Sequence, residues 1–210
     1  MTSTSNHASG PTRFIVLEGL DGAGTTTQAR KLNDYFTQRG TDSFLTFEPT
    51  DGAIGTFTRE LLTGADTVSH RVLGLLFAAD RLAHSHVVRA QLDAGRAVVC
   101  DRYLLSSIAY QTLDPDISAE WVAEVNHGCA VPDLTIFVDV PVAECLQRIH
   151  ARAEDRTIYE REDRLQTILA NYRRHAPFYQ QHFGRLATVD GTASVEAVHG
   201  AIVEVVESGL

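Results

Sequence analysis

The sequence predicts an α/β fold with one parallel sheet covered by helices on both faces. Three observations lead there: five short apolar runs, helical stretches between them, and a glycine-rich turn where the first run ends. RFIVLE (13–18) is dominated by β-branched and large apolar residues and reads as a buried strand. The turn GLDGAG follows it. TTTQARKLNDYFTQRG then spaces Leu32, Tyr35 and Phe36 for an amphipathic helix closed by Gly40. SFLTFE (43–48) is the second strand, stopped by Pro49 and the Asp51-Gly52 turn, with Arg59 on the next helix. A long helix over about 68–94 ends at Gly95, and AVVCD (97–101) is the third strand. Trp121 belongs to a helical WVAEV pattern and suits packing. LTIFVDV (134–140) is the fourth strand, and residues 141–182 are helical apart from an arginine-rich interruption near 150–162. LATVD (186–190) is the fifth strand, and a last helix covers about 194–207. In parallel sheets ligands sit beyond the carboxyl ends of the strands. The chemistry should therefore gather at Glu18–Thr27, Glu48–Gly52, Asp101–Arg102 and after Asp139.

Length and composition fit one domain. The chain has 210 residues, 44% apolar and 21% charged, enough to bury a substantial core. No repeat or linker divides residues 13–210. The small, polar residues 1–12 (MTSTSNHASGPT) read as a disordered leader, without the basic start and apolar centre of a signal peptide. A formal net charge of −9 argues against nucleic-acid and membrane-surface partners, which select basic patches. Phosphate ligands stay open, because salt screens distant charge beyond about 8 Å. The stretch Val72–Ala79 is far too short to cross a bilayer. Cys100, Cys129 and Cys145 are odd in number and lack CxxC spacing, which fits reduced thiols in a cytoplasmic protein. None of the nine histidines has zinc-site spacing, and His84 and His86 read as surface or helix residues.

Gly19-Leu20-Asp21-Gly22-Ala23-Gly24-Thr25-Thr26 has the spacing of GxxxxGK[ST], between a strand and a helix, with threonine at the lysine position. Such a loop lets backbone N–H groups approach phosphates at a helix N-terminus. Residues Gly19 to Thr26 are therefore the candidate ATP-binding loop. Thr26 stands where a hydroxyl would ligand Mg²⁺. Thr25 keeps an N–H and a hydroxyl but removes a charge, and losing one preorganised donor commonly costs about 10²–10³ in rate. Asp21 suits a catalytic role, orienting the acceptor or organising Mg²⁺ through water; holding the turn is the competing role.

DRYLLSSIAYQ (101–111), FAADRLAH (77–84), VPDLTIFVDVP (131–141) and the glycine loop together resemble the thymidylate kinase family, from Phe14 to about Val206. The resemblance implies a P-loop nucleoside monophosphate kinase fold, with a five-stranded parallel sheet and a short lid near 150–162. It also implies transfer of the ATP γ-phosphoryl to dTMP with Mg²⁺, for dTTP synthesis, in a homodimer. Thr25 and Phe47 leave open a nucleotide-binding pseudokinase with weak or no turnover, and the pyrimidine contacts leave open another pyrimidine deoxynucleoside monophosphate as acceptor. On the acceptor side, Phe77 would stack on thymine, Arg81 would hydrogen-bond the base, and Ser107 and Gln111 would contact the nucleotide. Tyr110 would crowd the ribose 2′ position. Arg102 would bridge phosphates, with Asp101 as an Mg²⁺ or water ligand, although an ion pair also fits these two residues. Helix capping is an alternative for Ser106 and Ser107. Glu48 belongs to the family's substrate loop, Glu48-Pro49-Thr50-Asp51-Gly52. Where the family has arginine before this Glu-Pro, the chain has Phe47; Arg59 on the next helix is either a partial substitute or a solvated helix residue.

Arg148, Arg152, Arg156 and Arg161 fall in or beside the lid, with Arg164 just beyond. The family's bacterial form has glycine rather than arginine inside the phosphate loop and takes its catalytic arginine from this lid. Gly22 and Ala23 put the chain with that form, and Arg152 and Arg156 are the expected catalytic pair. Arginine stays charged and grips phosphate bidentately, so lid closure could supply what Thr25 lacks. A solvated helix face fits any one of them equally well.

Overall fold

The structure is a computed structural model that describes residues 14–63, 68–151 and 161–209. The leader, Arg152 and Arg156 lie outside the described residues. Five strands form one all-parallel sheet in the order β2-β3-β1-β4-β5, with β1 Phe14–Gly19, β2 Ser43–Phe47, β3 Ala97–Asp101, β4 Leu134–Asp139 and β5 Leu186–Asp190. β1 and β3 are buried along their whole length, as expected for strands covered on both faces. Helices α1 (Thr25–Gln38) and α8 (Val195–Gly209) pack together and against the sheet. On the other face lie α3 (His70–Asp93), α4 (Leu104–Gln111) and α7 (Glu162–Phe183). The remaining helices are α2 (Ala53–Thr63), α5 (Ala119–Val125) and α6 (Val142–His150).

Strand positions agree with the apolar runs to within one residue. The helices depart more. The long helix starts at His70 because Ser69 caps it, its side chain accepting from Val72 N–H at 3.3 Å. Neither Ser106 nor Ser107 caps α4, which begins at Leu104 with no side-chain cap from its own N-cap residue. No described helix is long and apolar enough to cross a membrane.

Register brings the ends of four strands together. Phe47 pairs with Asp101, Leu17 with Asp101, and Gly19 with Val138. β1 is the central strand, so the loop leaving it opens between the ends of β3 and β4, where the chain crosses to opposite faces. Gly22 (φ 85°) and Gly24 (φ 90°) turn that loop tightly into α1. A β-carbon on Gly22 would lie 2.5 Å from the backbone oxygen of Cys145. We expect Gly22→Ala to destabilise the protein by about 2–4 kcal/mol, from left-handed strain plus a clash with backbone. Urea unfolding measures this, and a change below about 0.5 kcal/mol would mean the loop relaxes freely.

Candidate active site

Arg102 stands between two pockets. It follows β3 in a left-handed backbone conformation (φ 66°), the only described non-glycine residue with positive φ. Its N–H donates to Leu17 O at 2.8 Å and its carbonyl accepts from Cys100 Sγ at 3.1 Å, so neighbours on both sides hold the turn. The guanidinium then reaches the loop after β1. Nη2 lies 2.7 Å from Asp21 Oδ1, and Nη1 donates to Tyr110 Oη at 3.2 Å. Tyr110 Oη in turn donates to Asp21 Oδ2 at 3.4 Å. Asp21, Arg102 and Tyr110, from three different segments, are thus one cluster.

One pocket, of about 260 Å³, is lined by Asp21, Glu48, Arg59, Phe77, Arg81, Arg102, Ser107, Tyr110 and Gln111. Its floor is a buried charge network. Glu48 ends the second sheet-edge segment, with Oε2 2.7 Å from Arg81 Nη2 and Oε1 2.9 Å from His84 Nδ1. His84 Nε2 contacts Thr46 Oγ1 at 2.7 Å. Arg81 Nη1 donates to Asn126 Oδ1 at 2.7 Å, and Nη2 to Tyr103 O and Ser107 Oγ at 3.0 Å each. Burial works hardest against the Arg81 charge, and Glu48, with smaller contributions from Tyr103 and Cys129, more than offsets it, leaving the group above its ordinary range. Burial likewise pushes the Tyr103 hydroxyl up. Gln111 is fully buried at this pocket, with neither carboxamide atom hydrogen-bonded to protein, and Arg81 Nε is also unpaired. Such atoms are costly unless a ligand meets them.

The segment Glu48–Gly52 is held from α3 and α2. Asp80 accepts from Thr50 N–H at 2.8 Å and from Thr50 Oγ1 at 2.6 Å. Arg59 Nη2 donates to Pro49 O at 2.6 Å, Nη1 lies 3.3 Å from Asp51 Oδ1, and its Cζ is 5.8 Å from the Phe47 ring centroid. Arg59 of α2 therefore places a cation beside Phe47 at the end of β2.

The other pocket, of about 640 Å³, is lined by the whole loop Leu20–Gln28, by Arg102, Glu144 and Arg148, and by Gly191–Val195. Thr25 opens α1 and is buried. Gln28 is the first residue whose N–H pairs back within the helix, to Gly24 O at 3.0 Å, so α-helical geometry leaves the preceding N–H groups facing the loop. Arg148 Nη1 lies 3.4 Å from Gly22 O and 3.3 Å from Ala23 O, and Nη2 reaches Gly191 O at 3.1 Å and pairs with Glu144. Thr26 Oγ1 donates to Asp101 Oδ2, while the other oxygen, Asp101 Oδ1, is buried without a partner. These are hard oxygen donors suited to Mg²⁺. No group of three or more His, Cys, Asp or Glu among the described residues could hold a metal alone. Magnesium sites of this size complete their shell with phosphate and water.

A family model for thymidylate kinase matches residues 17–202. The chain belongs to the thymidylate kinase family. It is 41% identical over 207 residues to the probable thymidylate kinase of Thermococcus onnurineus, covering 94% of this chain and 98% of that one. It is 38% identical over 203 residues to the probable thymidylate kinase of Pyrococcus abyssi (94% and 97% covered). For that of Methanocaldococcus jannaschii the identity is 36% over 191 residues (90% and 93%). The chain is accordingly a nucleotide kinase, a phosphotransferase with the P-loop nucleoside monophosphate kinase fold.

For a thymidylate kinase family member, sequence reading missed four residues at this site. His84 is not a surface residue; it is buried between Thr46 and Glu48. Asp80 holds the substrate loop. Glu18, a lone carboxylate in an apolar strand, caps the start of α4 by accepting from Tyr103 N–H at 3.0 Å and Ser106 N–H at 3.1 Å. Tyr172 reaches the same place from α7. A carboxylate at the end of a buried apolar strand was the available signal for Glu18. We expect Glu48→Ala to cost about 3–5 kcal/mol of stability, because it strands the buried Arg81 charge. Chemical denaturation checks this, and a loss below about 1 kcal/mol would mean that Arg81 finds another counter-charge or reaches water.

Proposed function

We propose that the chain phosphorylates dTMP to dTDP with ATP and Mg²⁺, as a cytoplasmic homodimer. The carrying observation is Arg102, whose guanidinium lines both pockets, with Asp21 fixing it from the phosphate loop. The smaller pocket receives the acceptor. Phe77 offers a ring to the base, and Arg81 is oriented for it by Glu48, Ser107 and Asn126. The unpaired carboxamide of Gln111 complements a pyrimidine edge that presents a carbonyl oxygen and an N–H. Tyr110, tied to Arg102 and Asp21, narrows the sugar end. Arg59 brings a cation toward the acceptor phosphate.

The larger pocket receives ATP, its phosphates on the loop N–H groups and the α1 N-terminus. Thr26 and Asp101 would hold Mg²⁺, which supplies charge neutralisation on the phosphates when bound. Phosphoryl transfer relies on alignment and charge more than on a strong base. Arg102 then stabilises charge between the two nucleotides, and Arg148 adds a cation at the loop beside Gly22 and Ala23. Arg152 and Arg156 belong to the same reading as lid cations. Val72, Leu75 and Leu82 share one exposed face of α3, which supports a second copy packing there. The free thiols of Cys100, Cys129 and Cys145 suit a reducing compartment.

A purified protein should form ADP from ATP, Mg²⁺ and dTMP, with dUMP a poorer acceptor and dCMP poorer still. Binding of both nucleotides without turnover would overturn the reading. Because Arg102 and Arg148 already place charge at the loop, Thr25→Lys should raise kcat less than about tenfold, against the roughly 10²–10³ that restoring a missing donor would give.

A further inference from the structure

Tyr172 lies midway along α7 and is almost completely buried. Its ring stacks on Phe137 of β4 with centroids 4.9 Å apart and meets Tyr110 of α4 edge-on at 6.3 Å. The hydroxyl donates to Gly19 O at 3.1 Å and lies 2.7 Å from Ser106 Oγ. Ser106 Oγ in turn is hydrogen-bonded to Glu18 Oε2. Gly19 is the root of the phosphate loop, and Ser106 stands one turn after Arg102. The four oxygens therefore connect the donor loop to the segment that aims the bridging arginine.

The hydrogens along this chain can be counted. Three oxygen–oxygen contacts join Gly19 O, Tyr172 Oη, Ser106 Oγ and Glu18 Oε2. Serine and tyrosine bring one hydrogen each, and a backbone carbonyl brings none. With Glu18 ionised, one contact sets lone pair against lone pair. With Glu18 protonated, every contact carries a hydrogen, and donation runs one way: Glu18 to Ser106, Ser106 to Tyr172, Tyr172 to Gly19 O. Glu18 Oε1 still accepts from the N–H groups of Tyr103 and Ser106. The groups acting on this carboxyl come from every side: Arg102 after β3, Arg81 from α3, Tyr172 and Tyr179 from α7, and Cys100 from β3. Burial raises its pKa, and the hydrogen bonds from Ser106 and the two arginine charges pull the other way without cancelling it.

We propose that Tyr172 is a positioning residue for phosphoryl transfer, with Glu18 held as the neutral acid that completes its hydrogen-bond chain. The proposal rests on the transfer reading above. Its effect is to lock the phosphate loop and Arg102 in one register, and a displacement of about 1 Å in such a site costs about 10² in rate.

Steady-state kinetics and infrared spectroscopy on the full chain test it. Tyr172→Phe keeps the ring and removes the hydroxyl. It should lower kcat about tenfold or more, with KM for both nucleotides within about threefold of wild type, as expected when only alignment is lost. Glu18→Gln should stay within about threefold of wild-type kcat, because its Nε2 donates to Ser106 and its Oε1 accepts the two backbone N–H groups. Glu18→Ala should lose at least as much as Tyr172→Phe. Wild-type protein should also show a carboxylic-acid carbonyl band that Glu18→Gln lacks, a readout that survives if a variant fails to fold. Wild-type kcat in Tyr172→Phe, a Glu18→Gln as impaired as Glu18→Ala, or the absence of that band would each overturn the proposal. A wild-type protein without any nucleotide kinase turnover would instead sink the functional reading, leaving the band to decide the hydrogen count.

Discussion

The backbone of Arg102 sits at φ 66°, a conformation that costs a residue with a β-carbon about 1–3 kcal/mol, and the surroundings of the site compensate for it. Leu17 and Cys100 satisfy its backbone groups, Asp21 and Tyr110 hold its side chain, and Glu18 caps the helix that follows. The turn is what lets a residue at the end of β3 send its charge across to the loop after β1. With an ordinary extended backbone the side chain would follow the sheet's alternation, and the two pockets would share no cation. Strain concentrated at one residue is thus tied directly to the cation that lines both pockets.

The same logic governs the floor of the smaller pocket. Arg81, Glu48 and His84 are buried together, an arrangement that adds little net stability but fixes orientation. Ion pairing and hydrogen bonds hold Arg81 from four partners, so its position does not depend on a ligand being present. Gln111 is the opposite case, a buried carboxamide with no protein partner. One residue is preorganised and the other is left unsatisfied, which is how a pocket separates rigidity from recognition.

Much of this was legible in the sequence. The strands were, because a parallel strand buried on both faces must be a continuous apolar run. The glycine-rich turn from β1 into α1 was, because its glycines supply the positive φ that so tight a junction needs. Asp21, Arg102 and Tyr110 were found as separate candidates, but their clustering depends on strand order, which a linear pattern does not encode. His84, expected as a surface or helix residue, is on α3; its burial was not legible because a histidine on an amphipathic helix carries no mark of which face it occupies. Arg59 was a candidate beside Phe47 from the sequence, but its contacts with the Phe47 ring and Pro49 O depend on how α2 packs on the segment after β2.

Arg102 offers the most direct measurement. Lysine there retains a charge but cannot reproduce a planar grip shared between Asp21, Tyr110 and the two pockets. Turnover and calorimetric binding should be measured for Arg102→Lys beside wild type. The account predicts that ATP and dTMP each bind within about tenfold of wild type while kcat falls by about 10²–10³. A kcat within about threefold of wild type, or lost turnover explained wholly by lost binding, would contradict it.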